Sequence, residues 1–174
     1  MLYKIFFKVL ANRLKKILPN IITENQSTFT KSRLISDDIK HGGKENYMAI
    51  KLDISKAYDR VEWSYLESVM RWLGFTEKWI NLMMLCVKIV SYSILMNGEP
   101  KGLIKPSRGI RQGDPLSSFL FLLCLEGLHG LITKVAAWCD IKAYSLCRNS
   151  PRLTHLLFAN DSLLFCRATI QECQ

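Results

Sequence analysis

The chain has six cysteines but no C-x-x-C pair, which removes the usual spacing of a zinc site. Cys86, Cys124, Cys139, Cys147, Cys166 and Cys173 sit mostly within apolar runs, as buried free thiols do in a reducing compartment. Histidine is scarce, and His41, His129 and His155 stand apart in sequence, so each is expected to be structural or exposed rather than a ligand. There is no internal repeat, no low-complexity tract and no sign of a second domain. Long hydrophobic runs are also missing: Phe119 to Leu125 is the longest before Glu126 interrupts it, too short to cross a bilayer, so no membrane partner is expected. Lys4, Lys8, Arg13, Lys15 and Lys16 break up the first stretch, which excludes a convincing secretory signal and points to a soluble intracellular protein. Acidic residues are few, 15 against 24 basic ones, for a formal charge of +9. That excess favours an anionic partner, nucleic acid being the commonest, although a basic soluble domain with no such partner has the same composition.

What is present is enough for one domain: 174 residues, nearly half of them apolar. Leu2, Ile5, Phe6, Val9, Leu10, Leu14, Ile17 and Leu18 recur mostly at helical spacing, with Pro19 as the expected end. Residues 20–40 read as loop plus a short helix, and His41-Gly42-Gly43-Lys44 as a turn. A strand is expected from Tyr47 to Ile54, with Ser55 available to cap the next element. The stripe Val61, Tyr65, Leu66, Val69, Met70 and Leu73 predicts a helix stopped by Gly74, and Thr76-Glu77 opens another through Trp79, Ile80, Met83, Met84 and Val87. Asn97-Gly98 predicts a hairpin between strands near Tyr92–Met96 and Lys101–Lys105. A long apolar helix is expected over Leu116–Lys134, then a short strand and turn within Cys139–Pro151. Leu156–Phe158 and Ser162–Phe165 predict a closing hairpin with polar residues at its tip. Helices with antiparallel strands, not alternating βα units, indicate an α+β fold.

Three separated segments carry the chemistry. The first, Lys51-Leu52-Asp53-Ile54-Ser55-Lys56-Ala57-Tyr58-Asp59-Arg60, places a carboxylate at the end of an apolar strand, where it must be paired, capped or metal-bound. The second, Ser107-Arg108-Gly109-Ile110-Arg111-Gln112-Gly113-Asp114-Pro115-Leu116-Ser117, combines glycines that let backbone approach a ligand with arginines that suit phosphate. The third is the tip Phe158-Ala159-Asn160-Asp161. Taken singly, the first reads more readily as a strand-to-helix turn capped by Asp53, the second is as readily a basic loop, and the third is usually a plain hairpin turn.

Taken in order, they resemble the palm of reverse transcriptases, most closely those of the non-long-terminal-repeat (LINE-type) retroelements of plants. Leu52-Asp53 through Trp63 resembles the first palm motif, Arg111 through Ser117 the second, and Phe158-Ala159-Asn160-Asp161 the third, where that family has Phe-Ala-Asp-Asp. Tyr3-Lys4 through Leu18 and Asn25-Gln26-Ser27 through Arg33 resemble its fingers. The resemblance implies a single partial reverse transcriptase domain, an antiparallel palm sheet backed by helices: residues 1–46 partial fingers, residues 47–174 fingers and palm core, with no thumb.

By the same resemblance, two Mg²⁺ ions are held by Asp53, the carbonyl of Ile54 and Asp161, with Asn160 at the degenerate catalytic position. Tyr58 would exclude a ribose 2′-hydroxyl, Gln112 and Gly113 would lie along the incoming dNTP, and Lys105, Arg108 and Arg111 would contact nucleic acid. RNA template and DNA primer are the implied partners, in nucleus or cytoplasm. The departures predict an impaired copy. Asn160 brings a dipole where a charge is needed. The chain opens past the family's basic fingers motif, is short between Asp38 and Tyr47, and ends at Gln174, soon after the third palm motif. Apolar surface within Phe119–Leu125 and Leu163–Phe165 is expected to be exposed as a result.

Overall fold

The computed structural model describes residues 2–23, 47–138, 144–145, 152–158 and 161–169. The loop, helix and turn expected between residues 24 and 46 lie outside them, as do Ala159 and Asn160. The chain divides into two compact units, one of residues 1–21 and 56–124, the other of residues 22–55 and 125–174.

The first unit opens with α1, Leu2–Ile21. Phe7, Leu10, Ala11, Leu14 and Leu18 are its buried stripe, whereas Ile5, Phe6, Val9 and Ile17 are exposed, so the apolar face is narrower than the periodicity suggests. Pro19 does not end this helix. It sits in the last turn, where the missing N–H costs one bond and the chain runs on to Ile21. Ser55 does not cap the next element either: Lys56 occupies that place, with φ of 54° and no side-chain cap, ahead of a 3₁₀ turn over Ala57–Arg60.

Helices α2 (Trp63–Trp72) and α3 (Glu77–Lys88) then pack their Leu66, Val69 and Met70 and their Ile80, Met83, Met84 and Val87 into the core. Gly74 closes α2 as expected. Its φ is +82°, and the bonds Gly74 N–H to Arg71 O and Phe75 N–H to Met70 O complete a Schellman motif. Thr76 precedes α3 but makes no side-chain cap bond; Glu77 instead pairs with Arg71 at 2.8 Å. Strands β2 (Tyr92–Met96) and β3 (Glu99–Ile104) form an antiparallel hairpin. Positive φ at both Asn97 and Gly98 is the type I′ geometry that this dipeptide favours.

Helix α4 covers Ser117–Trp138. It is long and apolar enough to cross a membrane, which the short unbroken run conceals, but half of the qualifying stretch is buried within the protein. Leu120 through Leu125 are buried, contrary to the exposure expected there. Exposed apolar side chains lie instead on the β2–β3 hairpin, at Ile94, Leu95, Met96 and Leu103, and near the end of α4, at Leu131 and Trp138.

The second unit is built on an antiparallel sheet in the order β1-β7-β6, from Tyr47–Asp53, Asp161–Arg167 and His155–Phe158. A separate short pair joins β4 (Tyr144–Ser145) to β5 (Arg152–Leu153). Alternation gives the sheet a buried face, with His155, Leu157, Ser162 and Cys166, and a second face carrying Lys51, Asp53 and Asp161. Thr23 donates from both N–H and Oγ1 to the buried Glu126 carboxylate of α4, at 3.1 and 3.2 Å.

Two of the histidines are not isolated. His129 Nδ1 and His155 Nε2 lie 2.6 Å apart, and Thr154 Oγ1 is 2.8 Å from the other nitrogen of the fully buried His155. One proton shared between the rings satisfies both, so the pair is stable when His155 is neutral. Burial, and then the neighbouring His129, push the His155 imidazole down to about 4. The unfolded chain takes up that proton near pH 6.5. Its stabilisation is therefore complete above pH 6.5 and drains away as pH falls toward 4, by about 1–2 kcal/mol after allowance for solvent screening. Urea midpoints measured from about pH 7.5 down to about 4.5 should fall more steeply for the native chain than for His155→Asn. Parallel profiles would remove His155 as the titrating group.

Candidate functional site

The carboxylates predicted from distant segments meet through strand register. Asp53 is the last residue of β1 and Asp161 the first of β7, and they are direct cross-strand partners. Directly opposed residues of an antiparallel pair hold their Cβ atoms about 4.5–5.5 Å apart and share a face of the sheet. Ile54 follows Asp53 immediately and is half-buried. Lys51, two residues before Asp53 and hence on the same face, places Nζ 3.3 Å from Asp161 Oδ1.

Two oxygen-donor side chains at adjoining strand ends fit a hard divalent cation such as Mg²⁺. Among the described residues no three His, Cys, Asp or Glu side chains gather to hold a metal. The described site is thus a carboxylate pair, with Asn160 next to it in the chain.

The remaining predicted residues belong to the first unit, where a backbone clamp organises them. Gly109 N–H donates to Val61 O at 2.8 Å, Ile110 N–H to Tyr58 O at 2.9 Å, and Trp63 Nε1–H to Gly109 O at 2.8 Å. These bonds lay the Arg-Gln-Gly loop along the 3₁₀ turn and the start of α2. Gly109 has φ of +87°, and a Cβ there would stand 3.0 Å from Asp59 O and 3.2 Å from its Cα. Only glycine fits both the conformation and the contact. Tyr58 is half-buried and stacks on Phe121 of α4, with ring centroids 4.7 Å apart and planes at 14°.

Past the clamp, Gln112 and Gly113 form an exposed turn, with φ of +83° at Gly113. Buried Asp114 comes next: its Oδ1 accepts Leu116 N–H at 2.9 Å, and Tyr3 Oη of α1 donates to Oδ2 at 3.5 Å. Burial, and after it the Asp114 carboxylate, raise the Tyr3 phenol above its ordinary range, so it remains a donor. Arg111 lies over the Tyr3 ring, 5.9 Å from its centroid, and Arg108 pairs with Glu62 at 3.3 Å. Lys105 is exposed. Beside this loop a cleft of about 190 Å³ is lined by Tyr3, Phe7, Val87, Arg108, Arg111 and Asp114 among others.

These geometries suit a nucleotidyl-transfer palm, and comparison with known proteins decides the family. The family model described as reverse transcriptase (RNA-dependent DNA polymerase) matches residues 1–174. The chain belongs to the reverse transcriptase family. Relatives include an uncharacterized mitochondrial protein of Arabidopsis thaliana, 50% identical over 68 residues, covering 39% of this chain and 56% of that one. An uncharacterized 149 kDa protein of transposon TX1 from Xenopus laevis is 26% identical across 99% of this chain, which spans 14% of it. A Pol polyprotein of the type-1 retrotransposable element R2 from Popillia japonica is 28% identical over 69% of this chain and is covered over 19% of its length. The chain thus spans only part of each curated relative, and it is a reverse transcriptase domain of the non-long-terminal-repeat retrotransposon kind. Solved structures agree on fold. Telomerase from Candida albicans, in complex with a fragment of telomeric RNA, matches 92% of this chain at TM-score 0.59 and 13% identity, over 30% of its own length. Apo telomerase from Candida tropicalis matches 91% at TM-score 0.60 and 13% identity, again over 30% of its length.

Three features of this reverse transcriptase domain escape sequence reasoning. The clamp between the Trp63 indole and the Gly109 backbone leaves only the glycine as a signal. Asp114 is a buried anchor for α4 and Tyr3, a role hinted at by the Asp-Pro step before a helix. Lys51 has a legible spacing of two from Asp53 but looks like ordinary surface. The clamp gives a direct prediction. Gly109→Ala should cost about 1–3 kcal/mol, since it combines positive φ with a backbone clash. Gly102→Ala, at φ of +73° with open space around it, should cost less, about 1 kcal/mol from the backbone conformation alone. Urea denaturation of both variants checks the order, and equal losses would show that the close approach carries no extra strain.

Proposed function

We propose that this chain is the palm-containing core of an RNA-directed DNA polymerase of a non-long-terminal-repeat retrotransposon, impaired at the chemical step by Asn160. The observation that carries it is the register that sets Asp53 directly across from Asp161. Reverse transcriptases as a family use divalent metal ions. In this proposal Asp53, Asp161 and the Ile54 carbonyl hold two Mg²⁺. Such ions, when bound, sharpen the attacking primer hydroxyl and neutralise charge on the phosphates. Asp53 and Asp161 supply the negative charge that makes the site; Asn160 supplies only a carbonyl dipole where the family doublet has a second carboxylate. Loss of one electrostatic stabiliser lowers turnover by about 10²–10³.

The other assignments follow the family resemblance. Tyr58, which stacks on Phe121, would discriminate against a ribose 2′-hydroxyl. Gln112 and Gly113 present an exposed turn to a nucleotide. RNA template and DNA primer would lie against Lys105, Arg108 and Arg111, although Glu62 already offsets part of the charge of Arg108. The purified chain should incorporate no dTTP on poly(rA) primed with oligo(dT), with Mg²⁺ or Mn²⁺. Robust incorporation would overturn the impairment.

The basic loop supports a second reading, a nucleic-acid-binding module without catalysis. Phosphate contacts release counterions, so affinity for an RNA–DNA hybrid should fall by roughly tenfold or more between about 50 and 200 mM salt. Filter binding across that series measures the slope, and absent or salt-independent binding removes the reading.

A further inference from the structure

A cation already lies against Asp161 of the carboxylate pair, and it is a side chain of the protein itself. Strand alternation puts Lys51 and Asp53 on one face of β1, and the register sets Asp161 opposite Asp53, one diagonal step from Lys51. The ammonium closes that diagonal at 3.3 Å from Asp161 Oδ1, between side chains 65% and 39% exposed. An ion pair this open to water adds little to stability. Its consequence is for what else can occupy Asp161.

We propose that Lys51 is a tethered competitor for the divalent cation: its ammonium neutralises Asp161 in the metal-free protein and must swing away before a metal can take that carboxylate as a ligand. This rests on the metal-binding reading of Asp53 and Asp161. Lysine suits the task because its charge is compact and its four-carbon stem flexible, so departure breaks one contact and leaves the strand in place. Lys51, Asp53 and Asp161 together carry a single net negative charge.

Mn²⁺ binding to the full chain, followed by the electron paramagnetic resonance of free Mn²⁺ at low ionic strength, tests this without any turnover. Lys51→Met keeps the apolar stem and removes the charge, and should tighten Mn²⁺ binding by about three- to tenfold. Lys51→Arg keeps the charge and should stay within about twofold of the native chain. In an Asp161→Asn background, the gain from Lys51→Met should shrink below about twofold, because the carboxylate being contested is gone. Native-like affinity in Lys51→Met, with binding lost in Asp161→Asn, would overturn the competitor role and leave the metal reading standing. Unchanged binding in Asp161→Asn would overturn the metal reading and this proposal with it.

Discussion

The pairing of β1 with β7 is the constraint from which the functional reading descends. Side chains of a strand alternate between faces, so a slip of one residue in that register would turn Lys51 and Asp53 toward the buried side and bring Leu52 outward. The inner face resists such a slip. His155, Leu157, Ser162 and Cys166 are all buried there, and His155 is tied to His129 of α4 through a shared proton. Those buried residues belong to β6 and β7, and the β1–β7 register sets a pair of carboxylates at adjoining strand ends. The histidine contact ties β6, the neighbour of β7, to α4.

The first unit solves a different problem, how to hold an exposed loop still. Loops carry function only when the scaffold positions them. Here three hydrogen bonds and one backbone approach too tight for a Cβ lay residues 109–110 on the 3₁₀ turn and the chain leading from it. Asp114 then fastens the far end of the loop to α4 and to Tyr3. Gln112 and Gly113 are left exposed between two anchored points, which limits how far the turn can wander. Arg111 leans on the Tyr3 ring, so part of the loop's positive charge is spent on packing.

Much of this is legible in the sequence where one local rule dominates. Asn97-Gly98 specifies its hairpin, Gly74 its helix stop, and the apolar arms around residues 159–160 a closing hairpin. Legibility fails where tertiary contacts outvote local preference. Pro19 is tolerated because it costs a single N–H bond with only two helical residues left to follow. Ser55 has the chemistry of a cap, but the left-handed Lys56 takes that place, whereas Thr76 holds the N-cap position of α3 without a side-chain bond. The exposed stripe of α1 is as apolar in sequence as the buried one. Histidines 26 residues apart give no sign that they touch. The acidic partners are legible because their motif order is that of a family; spacing alone would not join residues 53 and 161.

Fold and chemistry respond to position 160 very differently. In sequence it falls between β6 and β7, and asparagine and aspartate share similar turn preferences. The hairpin, the register and the likeness to telomerase structures are therefore indifferent to the substitution. A cation site is not indifferent, because exchanging a carboxylate for an amide removes a full charge and leaves a dipole. Selection for a folded palm alone cannot distinguish the two residues; selection for nucleotidyl transfer can. Under the proposed function, Asn160 would weaken nucleotidyl transfer while leaving the physical determinants of the fold in place.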